Sequence, residues 1–280
     1  MEKLSNPEKK IIPPLNEGVH IVLMRHGEPL KPEKGQELSE ESKDSIGMLT
    51  ENGKKETRQM ISKIIDQAII QHPNKKIILC FLGSPTQLQI DGETFGARGM
   101  HTADVASREA ESNPMLEVRY IGDSGEVRPW KLLREADYYY APEKSEPERY
   151  VAAIASRAAN VGVDKQDIWL QQPEDLEAIR IEDKLESPAA TAQRLARAIS
   201  VLNRHSKLLH RKDNEEIYYV AVTHGDTLKA FLKTYFNDEP KAEPLNQNPL
   251  VGSEGYNASV ILGNTNGNKT SIEASFLTEV

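Results

Sequence analysis

The chain is short of three things, and each shortage removes a class of explanation. Cysteine occurs once among 280 residues, as Cys80, so neither an intrachain disulfide nor a multi-cysteine metal site can form. Cys80 stands inside the apolar run Ile77-Ile78-Leu79-Cys80-Phe81 and reads as a small core residue. Positive charge is in deficit: 35 Lys and Arg face 43 Asp and Glu, for a net charge of -8. That balance speaks against broad binding to nucleic acid or to an anionic membrane, although a few local cations still suffice to hold a phosphate. Long hydrophobic runs are missing as well. None nears the ~20 residues of a membrane span, and the opening Met1-Glu2-Lys3-Leu4-Ser5-Asn6-Pro7 lacks the apolar core of a Sec-type signal. The expectation is a cytoplasmic protein with no membrane insertion and no nucleic-acid partner.

What the chain does contain is an ordinary globular composition, 38% hydrophobic and 28% charged, with length enough for a sizeable core. Residues 1–16 are charged, proline-bearing and without period, which predicts a flexible tail. Residues 17–280 are expected to form one domain. Within it, 141–185 is helix-prone apart from the strand-like Asp167-Ile168-Trp169-Leu170, and reads as an inserted cap that sets selectivity. Trp169 either lines a pocket there or packs the cap. Residues 30 to 47 have few apolar anchors and form a long loop, either a lid or slack.

Three apolar runs read as buried strands: Val19 to Met24, Ile77 to Leu82 and Ile217 to Val222. Helices alternate with them. Thr50 is placed to cap one that carries Met60, Ile61, Ile64, Ile65 and Ala68 at helical spacing, ending at His72-Pro73-Asn74. Another begins near Arg98, and a third is capped by Ser187 with Pro188 in its first turn. Leu116 to Ile121 is a further strand, and 258–262 with 271–277 make a terminal hairpin. Strand-helix-strand order predicts an α/β fold with a mostly parallel sheet.

Two of the strands end alike. The first runs into Arg25-His26-Gly27 and the third into Thr223-His224-Gly225-Asp226. Strand ends are where open α/β sheets carry their chemistry. An imidazole beside a guanidinium suits attack on a phosphoryl group whose oxygens the arginine holds. Arg98, at a helix start where free N–H groups and the dipole favour anions, is either a second phosphate clamp or a solvated surface residue. Glu135 is either aimed into a cleft by Leu132 and Leu133 or left on the surface. His101 reads as structural, and His205 and His210 as solvated.

Taken together, these motifs resemble the histidine phosphatase superfamily on its phosphoglycerate mutase-like branch. The resemblance spans most of residues 19 to 262. It rests on Arg25-His26-Gly27, on Leu49-Thr50 with Gly53, on Ser84-Pro85, on Arg98 with Thr102-Ala103, on Leu133-Arg134-Glu135, on Glu186-Ser187 and on Thr223-His224-Gly225. It implies a three-layer α/β/α fold with a helical cap insertion, and hydrolysis of a phosphomonoester through phosphohistidine on His26. Arg25, Arg98, His224 and Gly225 would hold the phosphate, and Glu135 would be the acid, with Glu143 and Asp226 in reserve. No metal or other cofactor is called for, since side chains supply the cations. The chain departs from the pattern at Pro32, where a polar residue is usual, and at Tyr138-Tyr139-Tyr140 after the Leu-Arg-Glu segment. The substrate is expected to be a phosphorylated small molecule or a phosphoprotein. A phosphoglycerate or phosphosugar mutase, and a non-catalytic phosphate-binding protein on the same fold, are the alternatives.

Overall fold

The computed structural model describes residues 12, 14–31, 44–90, 93–122, 124–136, 149–209, 212–236, 258–265 and 269–276. Pro32, Tyr138 to Tyr140, Glu143, His210 and much of the 30–47 loop lie outside the described residues.

The central strands are β1 (Val19–Arg25), β2 (Lys76–Gly83) and β7 (Glu215–Thr223). Their near-continuous apolar runs are what a strand covered on both faces requires. Alternation along each strand sorts side chains into two layers. Ile21, Leu23, Ile78, Cys80, Ile217 and Tyr219 face one way, and Val22, Met24, Leu79, Phe81, Val220 and Val222 the other. On the first face lie α6 (Pro188–Leu208) and α7 (Gly225–Tyr235), contributing Leu195, Ile199, Leu202, Leu228 and Phe231. On the second lie α1 (Glu51–Gln71) and α2 (Arg98–Glu111), contributing Met60, Ile61, Ile64, Ala103 and Ala106. The result is a mixed α/β fold whose central, mostly parallel sheet is flanked by helices.

Among the described residues the sheet has seven strands in the order β5-β2-β7-β1-β8-β9, with β6 also pairing β2. β5 (Leu116–Arg119), β6 (Arg128–Pro129), β2, β7 and β1 run parallel; β8 (Ala258–Thr265) and β9 (Lys269–Phe276) form the expected antiparallel hairpin beside β1. The predicted caps are present: the Thr50 hydroxyl accepts from Gly53 N at 2.8 Å, and Ser187 from Ala190 N at 3.1 Å. Cys80 is fully buried and its thiol is pushed up to about 12, which leaves it inert. No helix among the described residues is long and apolar enough to cross a membrane.

Three expectations are corrected. The end of the proposed tail is packed: Ile12 and Leu15 are buried against the core, and Asn16 hydrogen-bonds Asn203 and Ser206 of α6. Asp167 to Leu170 belongs to a helix, α4 (Lys165–Gln171), because the Asp164 carboxylate caps it by accepting from Gln166 N at 2.7 Å. His205 is half-buried and bonded to the Tyr219 hydroxyl at 2.9 Å rather than solvated. The loop after Pro85 contains a two-strand ribbon, β3 (Gln89–Ile90) and β4 (Glu93–Thr94). Within the 141–185 stretch, α3 (Arg149–Val161), α4 and α5 (Glu174–Glu182) gather around Tyr150, Ile154 and Trp169. Trp169 is a packing residue, and its Nε1 donates to Glu186 O at 3.3 Å.

Candidate active site

Register brings three strand tips together. β1 and β7 pair Arg25 with Thr223, and β2 and β7 pair Gly83 with Val222. The ladder continues one residue further on each side, with His26 N donating to Thr223 O and Ser84 N to Val222 O, both at 3.0 Å. His26, Ser84 and His224 thus emerge side by side at the carboxyl ends of parallel strands. Helices α2 and α7 both start here, so their N-terminal N–H groups add positive potential.

His26 is 4% exposed. Its Nδ1 lies 2.8 Å from Gly27 O. A carbonyl can only accept, so Nδ1 carries the proton and the Nε2 electron pair is the nucleophilic one. Burial first, then the charges of Arg98, His224 and Arg25, hold the His26 pKa well below the ordinary imidazole value. His224 is depressed in the same way by burial, then by Arg98, Arg25 and Arg194. The two rings meet edge to face, centroids 5.0 Å apart. His224 Nε2 is 2.8 Å from the Ser84 hydroxyl and its Nδ1 3.5 Å from Arg98 Nη2.

Arg98 opens α2 and is 8% exposed, not solvated. One of its nitrogens, Nη2, donates to both oxygens of Glu135, at 2.7 and 2.8 Å. Opposing forces therefore meet on Glu135: Arg98 favours the carboxylate, while burial and neighbouring Asp226 favour the acid. Burial is the larger, and raises the carboxyl to about 7. Close backbone approach makes room for the cations. A Cβ at Gly225 would sit 3.0 Å from Arg25 Nε, and one at Gly99 2.8 Å from the Ser84 Cβ. These glycines let Arg25 cross the start of α7 and let α2 abut the tip of β2.

A second set of residues holds the Glu135 loop, which leaves a single 3-10 turn at Lys131–Leu133. Arg194 of α6 donates to Leu132 O at 3.0 Å and Arg134 O at 2.9 Å while paired with Glu186 at 2.9 Å. Thr223 and Thr227 hydroxyls donate to Leu133 O and Arg134 O, and Glu135 N donates to the Thr86 hydroxyl. Asp226 accepts from Ala136 N at 3.0 Å and Thr227 N at 2.7 Å.

The structure therefore gathers Arg25, His26, Arg98, Glu135, His224 and Gly225 at one place. Asp226 is near but committed to backbone N–H groups, and Glu143 lies outside the described residues. Sequence reading missed Ser84 as a partner of His224, and missed Thr86, Arg194, Thr223 and Thr227 as supports of the acid's loop. An arginine on a helix reads as solvated, and only Glu186 eight residues earlier hinted otherwise. His101 is structural as expected, accepting from Leu49 N at 2.8 Å. A cavity of about 520 Å³ lined by Met100, His101, Arg108 and Tyr120 lies elsewhere and includes none of the gathered residues.

No family model and no curated protein matches the chain. Solved structures do. A mutant phosphoserine phosphatase from Entamoeba histolytica is 14% identical, over 93% of this chain and 95% of that one, with a TM-score of 0.42. A mycobacterial glucosyl-3-phosphoglycerate phosphatase is 14% identical over 92% and 97%, with a TM-score of 0.44. A phosphoglycerate mutase from Plasmodium falciparum is 15% identical over 92% and 99%, with a TM-score of 0.30. These proteins share the histidine phosphatase superfamily fold. At such scores the likeness assigns no role to any residue here.

Proposed function

We propose that this chain is a phosphomonoester hydrolase that works through a phosphohistidine on His26. The observation that carries the reading is the 2.8 Å bond from His26 Nδ1–H to Gly27 O. It selects the tautomer whose Nε2 can attack phosphorus, in a place where burial and two guanidinium groups keep the ring neutral. In the first step the Nε2–P bond forms as the P–O bond to the leaving group breaks. Arg25, Arg98 and His224 hold the equatorial oxygens, and Glu135 gives its proton to the departing alkoxide. In the second step water attacks phosphorus, Glu135 takes its proton, and inorganic phosphate leaves with His26 restored.

Glu135 has a further part in this scheme. Without substrate its carboxylate occupies Arg98, standing where a phosphate oxygen would bind. An incoming phosphate competes for that guanidinium. Glu135 then loses its favourable cation and gains an anionic neighbour, and both changes raise its affinity for the proton it must donate. The substrate is a phosphorylated small molecule or a phosphoprotein, and the setting cytoplasmic.

The test is turnover of p-nitrophenyl phosphate in EDTA by wild type and His26→Ala. Hydrolysis that withstands EDTA and disappears in the variant is expected, with acid-labile phosphate trapped on wild type only. Near-normal hydrolysis by His26→Ala overturns the reading.

A further inference from the structure

The opposite end of the sheet carries a second cluster of chemistry-bearing side chains. His20 stands near the start of β1, Glu216 near the start of β7, and His72 caps the C-terminus of α1. His20 lies in β1 and His26 just past its end, six residues on, which separates this cluster from the candidate active site by ~20 Å. His20 pairs across the ladder with Tyr218 and stacks on its ring, centroids 4.2 Å apart. That contact aims the imidazole at Glu216, whose Oε2 lies 3.0 Å from His20 Nε2. The His72 ring lies 5.1 Å from that of His20. One donor atom from each of the three residues falls within 4.8 Å of the others.

A second, independent observation points to a ligand. His72 Nε2 is buried and makes no hydrogen bond. A buried polar nitrogen without a partner calls for an explanation, and a second imidazole and a carboxylate lie close by. The His20–Glu216 bond alone leaves it unexplained. Lys75 Nζ is 3.9 Å from the other Glu216 oxygen.

We propose that His20, His72 and Glu216 bind a divalent cation of the zinc class. Two imidazole nitrogens and one carboxylate oxygen are the borderline-soft donor set that zinc prefers over magnesium or calcium. Three protein ligands leave the fourth tetrahedral position to water, and the His20 side chain, 15% exposed, keeps solvent within reach. The ion would tie the last turn of α1 to the first residues of β1 and β7. It would take no part in phosphoryl chemistry, and the inference stands apart from the function proposed above.

The experiment is calorimetric titration of zinc into the metal-stripped full chain, with thermal unfolding in parallel. Wild type and His26→Ala are each expected to bind one equivalent, with Tm raised by roughly 5 °C at saturation. His72→Gln and Glu216→Gln are each expected to bind at least 30-fold more weakly and to lose the Tm shift. The His72 side chain makes no cap bond, since the cap uses its backbone N–H to Ala68 O, so that variant folds. Absence of saturable binding, equal binding by His72→Gln, or loss of binding in His26→Ala would each overturn the proposal.

Discussion

Glu135 and His26 divide the chemistry between an acid held up and a base held down. His26 is depressed by burial and cations, and Glu135 is raised by burial to about 7. The competent state needs neutral His26 and protonated Glu135. Rising pH removes the proton from Glu135, so kcat/KM on an alkyl phosphate should fall above about 7 while the acid side stays flat well below the usual imidazole range. On p-nitrophenyl phosphate, whose leaving group needs no proton, that alkaline limb should vanish. Glu135→Gln should cost ~10²- to 10⁴-fold on alkyl phosphates and far less on aryl ones; equal losses would place the acid elsewhere. The same variant removes a negative competitor from Arg98, so inorganic phosphate should inhibit it more strongly than wild type. Weaker inhibition would contradict the competition between carboxylate and phosphate. The two histidines and both arginines were legible in the sequence because apolar runs and a helix start placed them. The bonds of Asp226, a reserve for the acid, to Ala136 N and Thr227 N were not legible, because adjacency to His224 says nothing about which backbone groups a carboxylate will meet.

At the scale of elements, the site is a junction of three strand tips and two helix starts, locked by a neighbour. Arg194 reaches from α6 to the carbonyls of the Glu135 loop while buried against Glu186. Arg194→Ala would take from half-buried Glu186 its closest cation, leaving Arg134 at 3.8 Å, at a cost of about 1–3 kcal/mol, measurable as a lower urea midpoint. Turnover should fall with it, since the loop that aims Glu135 loses its tether. Gly225→Ala should act more locally. Its methyl would press on Arg25, raising KM at least tenfold with little change in Tm; an unchanged KM would mean that Arg25 is not at the phosphate. The strands and long helices were readable because both faces of the sheet impose their pattern over many residues. Short elements were not. Asp167 to Leu170 is too brief for periodicity to separate helix from strand, and Asp164 decided it. β3 and β4, two residues each, leave no pattern to read.

For the whole molecule, burial of imidazole sets the acid response. His26, His72, His101, His205 and His224 are all held below their ordinary pKa, with burial the largest cause in each. Below about 6.5 the unfolded chain binds protons that the folded chain refuses, so stability falls as pH falls. Glu135 and Asp226 act the other way, raised by burial so that they keep protons the unfolded chain releases, but they are two groups against five. The urea midpoint should therefore drop between pH 7.5 and 5.5; a constant midpoint would contradict the buried, neutral rings. The strand order has a consequence of another kind. Both partners of β1, namely β7 and β8, come from residues 215–223 and 258–265. At the ribosome's ~5–20 residues per second, the strand bearing the nucleophile leaves the exit tunnel many seconds before either neighbour exists. During that interval it is an apolar ribbon with two open edges, the kind of segment that recruits a stray strand. Synthesis of this protein thus has a built-in waiting period, in which a chaperone's grip on residues 19–25 would matter more than at any later time.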